Sequence, residues 1–362
     1  MDIGEARKSL HVGTIRPGFV PYQGTSLRPE RRVSEHSLLH WRKRHPLARA
    51  AALHDILGTT PEWPAETRWT LLMDTLAATT STLPAALRLG EVRLRVRDAA
   101  GTAAFYRDVV GLTLLGEEDK VVRLGAGDRV LVELVEAPNA PPRPRGSIGL
   151  FHLAILVPDR PALAVALRRL VARGVRLGAS DHIVSEALYI DDPEGNGIEI
   201  CRDRPRDEWH WQSGTVEMAT AQLDLRSVLD DVPDGMQLDA PMPDGTVMGH
   251  VHLKVDDLAA ARRFYVDRLG FAVTTDRYPG ALFVSAGGYH HHLGLNIWES
   301  RGRGPAPEGA LGLAHYAIVL PDAPSVAAAR TRLEGAGETV RGIEGGFAVT
   351  DPWGTEAHVV AN

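Results

Sequence analysis

Met248-Gly249-His250-Val251-His252-Leu253-Lys254-Val255, followed by Arg262-Arg263-Phe264-Tyr265-Val266-Asp267-Arg268-Leu269-Gly270-Phe271, is the second occurrence of a phrase. The first reads Leu89-Gly90-Glu91-Val92-Arg93-Leu94-Arg95-Val96, then Ala103-Ala104-Phe105-Tyr106-Arg107-Asp108-Val109-Val110-Gly111-Leu112. Gly90 and Gly249, Phe105 and Phe264, and Gly111 and Gly270 all stand 159 residues apart. A constant offset through aligned residues marks an internal repeat rather than chance likeness.

Working outward, a second phrase also recurs. Phe151-His152-Leu153-Ala154-Ile155-Leu156-Val157-Pro158-Asp159 answers Ala314-His315-Tyr316-Ala317-Ile318-Val319-Leu320-Pro321-Asp322, and Asp192-Pro193 answers Asp351-Pro352. The chain is therefore four units in the order A-B-A′-B′. Alternation in Val92-Leu94-Val96 and in Val251-Leu253-Val255 marks half-buried first strands. A helical stretch follows, ended at Gly111 or Gly270 as C-cap glycines. Short β-rich runs such as 129–135, 188–190 and 281–285, separated by Gly-containing turns, complete each unit as strand, helix and three strands. The fold class is α+β with four βαβββ modules. One such module leaves a sheet face unburied, so modules must pair. The division expected is an N-terminal extension over 1–85, a first pair of modules over 86–205, a connector over 206–247 and a second pair over 248–362. The connector, rich in Pro and carrying Trp209 and Trp211, is expected along the surface.

The ends and the composition narrow the function. The first fifty residues hold ten Lys/Arg against four acids, a local excess of +6 in a chain of net charge −6. This reads as a poorly ordered basic extension. It lacks the aromatic interleaving of a nucleic-acid arm. His36, His40, His45 and His54 have no metal-like companions. The helix-like stretch 66–78 has no counterpart in the repeat, and the folded part is expected to begin near Met73. Trp63, Trp69, Leu71 and Leu72 offer the competing reading of an amphipathic cap on the first module. A 44% hydrophobic content describes a globular chain, and the charge gives no reason to expect nucleic acid or a membrane as partner. Cys201 is the only cysteine, which excludes an internal disulfide. No apolar run has the length of a membrane span and no secretory h-region opens the chain, so the cytoplasm is the expected location.

Residues 149–207 hold the chemistry. His152 lies in a strand-like run, and Glu199 follows the turn Asp192-Pro193-Glu194-Gly195-Asn196. If those strands are neighbours the two side chains meet. A second histidine from elsewhere would complete a 2-His-1-carboxylate face with open positions, the arrangement of non-haem Fe(II) oxygen chemistry. A lone histidine in a strand is otherwise a core residue bonded to backbone, and a lone strand glutamate faces solvent.

With the repeat, Gly249-His250, Tyr289-His290-His291-His292-Leu293-Gly294-Leu295-Asn296, Asp181-His182 with Val184-Ser185 and Tyr189, and Glu199 in place, residues 89–362 resemble the vicinal-oxygen-chelate superfamily. Within it the likeness is to two-domain bacterial extradiol catechol 2,3-dioxygenases. The resemblance implies two tandem vicinal-oxygen-chelate domains and a metal held by His152, Glu199 and His250. In familiar members the third and fourth modules carry the metal. Here the fourth has His358 where a glutamate is expected, so the resemblance implies that modules two and three pair. Pairing within halves would instead leave Glu91-His152-Glu199 and His250-His315-His358, neither with two imidazoles and one carboxylate.

The resemblance further implies Fe(II), with Mn(II) as an alternative, and cleavage of a small aromatic diol by O2 beside its hydroxyls. Catalytic roles fall to His291 as acid–base group, Tyr189 as a phenol toward the substrate's second oxygen, and His182 at the mouth. Strict alternation from Asn296 would turn His290 and His292, not His291, to one face, which a bulge near Gly288 or Gly294 would reconcile. The three consecutive histidines also fit a surface metal-scavenging tract. Glu91, Glu133, His315 and His358 mark a second, vestigial ligand set if modules one and four pair. The same scaffold hosts isomerases and lyases using other metals, and non-catalytic binding proteins. A homo-oligomer is compatible with all of these.

Overall fold

The computed structural model describes residues 82–362. The basic extension, the 66–78 helix, the start at Met73 and the N-terminal histidines lie outside the described residues.

The four modules are present as read. The first runs β1 (Arg88–Val96), α1 (Ala99–Phe105), β2 (Thr113–Glu118), β3 (Val121–Ala126) and β4 (Arg129–Glu136). The second is β5 (Gly149–Leu156), α2 (Arg160–Ala172), β6 (Gly178–Asp181), β7 (Ser185–Asp191) and β8 (Gly197–Asp203). Two short strands, β9 (Trp211–Gln212) and β10 (Thr215–Val216), and α3 (Leu225–Leu229) occupy the connector. The third module is β11 (Val247–Lys254), α4 (Leu258–Arg262), β12 (Ala272–Thr275), β13 (Ala281–Ser285) and β14 (Leu293–Asn296). The fourth is β15 (Gly312–Leu320), α5 (Ala323–Gly335), β16 (Val340–Ile343), β17 (Gly346–Thr350) and β18 (Glu356–Ala361).

Each module carries the same local devices. Asp98, Asp159, Asp257 and Asp322 cap the helices that follow, each accepting from the backbone N–H three residues on, at 2.6–2.9 Å. Gly111 and Gly270 have φ of 100° and 105°. A Cβ at Gly111 would fall 1.9 Å from the Arg169 guanidinium, so both conformation and space demand glycine there. Tyr106 donates to Asp192 (3.4 Å) and Tyr265 to Asp351 (2.9 Å), tying module one to two and three to four.

The sheets run across this order. One eight-stranded sheet is β16-β17-β18-β15-β1-β4-β3-β2, modules four and one; the other is β12-β13-β14-β11-β5-β8-β7-β6, modules three and two. The halves 86–205 and 248–362 therefore each contribute to both sheets. At both centres the first strands of two modules run antiparallel, β15 against β1 and β11 against β5. Val92, Leu94, Tyr316 and Ile318 of one sheet share a continuous core with Leu153, Ile155, Val251 and Leu253 of the other. By alternation, His250 and His252 face away from that core.

Most of the connector is exposed, Trp211 included. It is anchored at a few points: Trp209, Val216, Leu223, Val228 and Met242 are buried, and Arg169 on α2 donates to the carbonyls of Leu238, Val110 and Ala240. Burying those apolar side chains fastens a segment that otherwise runs over the modules.

Candidate metal centre

Registers across the second sheet explain how distant residues meet. His250 pairs with Ala154, Ala154 with Glu199 and Glu199 with Tyr189, a single row across β11, β5, β8 and β7. The adjacent row on the same face is Gly294, His252, His152 and Gly197. Small residues flank or separate the large ones: Ala154 lies between His250 and Glu199, and Gly294 and Gly197 flank His252 and His152. Ala154 lets His250 and Glu199 lean together over it. Gly197 has no room for a Cβ, which would lie 2.3 Å from the Phe151 carbonyl, and a Cβ at Gly294 would lie 2.9 Å from the His252 ring. The turn before β8 is held by Asp192, whose carboxylate accepts from the N–H groups of Glu194 (2.9 Å) and Asn196 (2.8 Å).

The three donors converge. His152 Nε2 is 3.0 Å from Glu199 Oε2, His250 Nε2 is 3.2 Å from the same oxygen, and the two nitrogens are 3.2 Å apart. All three side chains are buried. Burial alone would raise the Glu199 carboxyl, but His250 and the hydrogen bonds from His152 and His250 outweigh it and hold it well below the usual carboxylate range. Burial lowers His152 despite the Glu199 hydrogen bond, favouring neutral imidazole, the form that ligates. Donors about 3.0 Å apart are what adjacent positions around one ion at about 2.1 Å require. The residues therefore fit a divalent metal on a 2-His-1-carboxylate face. His250 Nδ1 and His252 Nε2, both buried, have no partner among the described residues and add unmet hydrogen-bonding capacity beside the triangle.

Tyr189 and His182 form a pair next to Glu199. His182 Nδ1 is 2.8 Å from the Ala219 carbonyl, which can only accept, so this nitrogen carries the hydrogen. Burial lowers the pKa of His182 and keeps it neutral. Its Nε2 then accepts from the Tyr189 hydroxyl at 2.7 Å. The phenol is thus engaged by His182 and lies in hydrogen-bond contact with Glu199 as well.

Of the three consecutive histidines, the structure brings His291 against the triangle, its ring centroid 4.1 Å from that of His250. The three precede β14, so the alternation of that strand does not govern them. His292 turns away and accepts from the Ala286 N–H at 3.2 Å. Burial first, then His290 and Arg206, push it down to about 3. All three are buried, which removes the surface-tract reading. Sequence reasoning passed over His252, two residues from His250 and therefore on the same face. It also passed over Asp203, which shares the parity of Glu199 on β8, whereas strand alternation read from the sequence turns His290 to one face with His292.

The remaining ligand-type residues gather on the other sheet, in two overlapping groups: Glu91, Glu133 and His315, and His315, Glu356 and His358. Glu133 is already paired with Arg93 (2.6 Å) and Arg123 (3.2 Å), and His358 with Glu356 (2.7 Å). His315 and His358 stack at 3.6 Å and 15°.

Paired βαβββ modules in two eight-stranded sheets, with buried His-His-Glu donors on one of them, define a class. Residues 88–200 and 247–359 match the Glyoxalase/Bleomycin resistance protein/Dioxygenase superfamily, and the chain belongs to it. It is 43% identical over 269 residues to the catechol-2,3-dioxygenase of Bacillus subtilis (strain 168), covering 73% of this chain and 93% of that one. A solved structure from Bacillus subtilis subsp. subtilis str. 168 shares the fold with TM-score 0.54 at 13% identity, over 78% of this chain and 86% of that one. Glyoxalase I from Zea mays gives TM-score 0.47 at 19% identity, over 76% and 92%. Among the described residues no helix is long and apolar enough to cross a membrane.

Proposed function

We propose that the chain is an extradiol ring-cleaving dioxygenase acting on catechol-type diols with O2 and Fe(II), Mn(II) being the alternative metal, in the cytoplasm. The observation that carries the reading is the buried triangle of His152, Glu199 and His250, with Tyr189–His182 on one side and His291 on the other. The 43% identity to a catechol-2,3-dioxygenase supports it.

His152, His250 and Glu199 would hold Fe(II), which would supply the redox link between a diol and O2. Two neutral imidazoles and one carboxylate leave a divalent ion with a net charge of +1, suited to an anionic diol. The chain's other groups manage protons. Tyr189 Oη can take a hydrogen bond from one substrate hydroxyl while its own proton goes to His182 Nε2. His291 is the acid–base group on the opposite side; burial, then His250 and His290, keep its imidazole neutral and able to accept. Phe151, Phe283 and Trp298 surround the His252 ring with centroids 5.1–5.6 Å away, setting aromatic surface beside the triangle.

The test is anaerobic loading with Fe(II), addition of catechol and admission of air. A yellow ring-fission product that appears only with both iron and O2 is the expected result. Turnover of a substrate without O2 on Zn(II), Ni(II) or Mn(II) would place the chain among the isomerases and lyases of the family instead.

A further inference from the structure

His291 does not stand alone. Its Nδ1 is 2.8 Å from His290 Nδ1, and His290 Nε2 is 2.9 Å from Asp203 Oδ1. Asp203 ends the strand that carries Glu199, four residues on and on the same face. Trp209 from the connector and Tyr289 pack on the His290 ring at centroid distances of 5.0 and 4.1 Å, and the His290 side chain is 1% exposed.

The proton positions along this chain follow from donor chemistry. A carboxylate only accepts, so His290 Nε2 carries a hydrogen. In the neutral imidazole His290 Nδ1 is then an acceptor, and the 2.8 Å contact requires His291 Nδ1 to donate. His291 Nε2 is left with its lone pair. We propose that Asp203 and His290 are positioning residues that hold His291 in the Nδ1–H tautomer, leaving Nε2 as the atom that accepts a proton from substrate.

This rests on the reading of His291 as the acid–base group, but the tautomer itself is independent of any reaction. An orienting partner on one ring nitrogen decides what the other can do. Trp209, a buried anchor of the connector, packs on the ring that sets His291.

The first measurement is long-range ¹H–¹⁵N correlation on the full-length, metal-free protein, with His291 signals assigned by their loss in His291→Gln. The Nδ1–H pattern is expected. Asp203→Ala should convert it largely to Nε2–H, and Asp203→Asn, whose side-chain oxygen still accepts from His290, should keep it. On the iron-loaded protein with catechol, Asp203→Ala should lower kcat by roughly tenfold or more with KM changed less than about twofold, and Asp203→Asn should restore most of it. An Nε2–H pattern in the parent protein, or a pattern unmoved by Asp203→Ala, overturns the proposal. So does equal loss of kcat in both variants, which would mark a packing role only. Should Asp203→Ala fail to fold, the parent spectrum and Asp203→Asn still decide it. If the parent does not cleave catechol, the proposed function fails while the tautomer is still read directly.

Discussion

The two sheets are built on one plan and do opposite things with it. In the second, the central row reads Gly294, His252, His152, Gly197. In the first, the equivalent row reads Glu133, Arg93, His315, Glu356. Where one sheet has glycine the other has a carboxylate, and where one has His252 the other has Arg93. The first row neutralises itself through Arg93–Glu133 and Arg123–Glu133, and Arg341 holds Glu356 at 3.0 Å. Stacked His315 and His358 present their nitrogens in parallel planes rather than toward one point. The second sheet places no arginine or lysine on Glu199 among the described residues; His152 and His250 face it at 3.0 and 3.2 Å, with Tyr189 beside it. A scaffold that brings four first strands to two seams makes two potential sites; the side chains beside the ligands decide which is left able to take a metal.

The largest effect expected from this comparison is at the ligands. His250→Ala should abolish bound metal and lower ring cleavage on the order of 10³-fold or more, whereas Glu91→Ala at the equivalent position should leave both within about twofold. Metal analysis with turnover reads this; metal retained in His250→Ala and lost in Glu91→Ala or His315→Ala would reverse the assignment of the two sheets.

Ala154 sharpens the comparison without touching a ligand. A leucine there would occupy the space over which His250 and Glu199 meet. Ala154→Leu should reduce turnover roughly 100-fold with secondary structure retained by circular dichroism. Unchanged metal content and rate would show that the small residue is not needed.

On the other sheet the effect should be on stability alone. Arg93→Ala leaves Glu133 buried with only Arg123, and should cost about 1–3 kcal/mol in urea unfolding while turnover per folded molecule stays put. A loss of activity larger than the loss of folded protein would mean the first sheet communicates with the metal centre.

The smallest effect concerns His315. Burial, followed by His358 and Arg93, pushes its pKa down to about 3 from an ordinary 6.5. The folded state therefore keeps it neutral while the unfolded chain takes up a proton. That contribution to stability is present above about pH 6.5 and is lost progressively as pH falls toward 3. His315→Gln should flatten the decline between pH 7 and 5.5 by about 1 kcal/mol. Equal slopes in parent and variant would show that His315 is not held neutral.

What the sequence by itself determined is everything local or periodic. The offset of 159 defined four modules, alternation set which strand residues share a face, and Asp–Pro turns and C-cap glycines bounded the elements; the set His152, Glu199 and His250 came only as what the family resemblance implied. These signals are legible because strand parity and backbone conformation depend on neighbours a few residues away. What only the tertiary structure decided lies across strands. The pairing of modules two and three was implied by the resemblance, but the registers at the two seams, β11 on β5 and β15 on β1, came from the structure. The row of small residues that lets the donors meet comes from registers between β14, β11, β5 and β8, which no single stretch encodes. The anchoring of the connector at Trp209, the turning of His291 toward His250 and the Asp203–His290–His291 chain depend on contacts between distant segments; Asp203 and His290, 87 positions apart, come within 2.9 Å. Such contacts are specified by packing, since the apolar faces of two modules must close against each other before their polar faces can share a site.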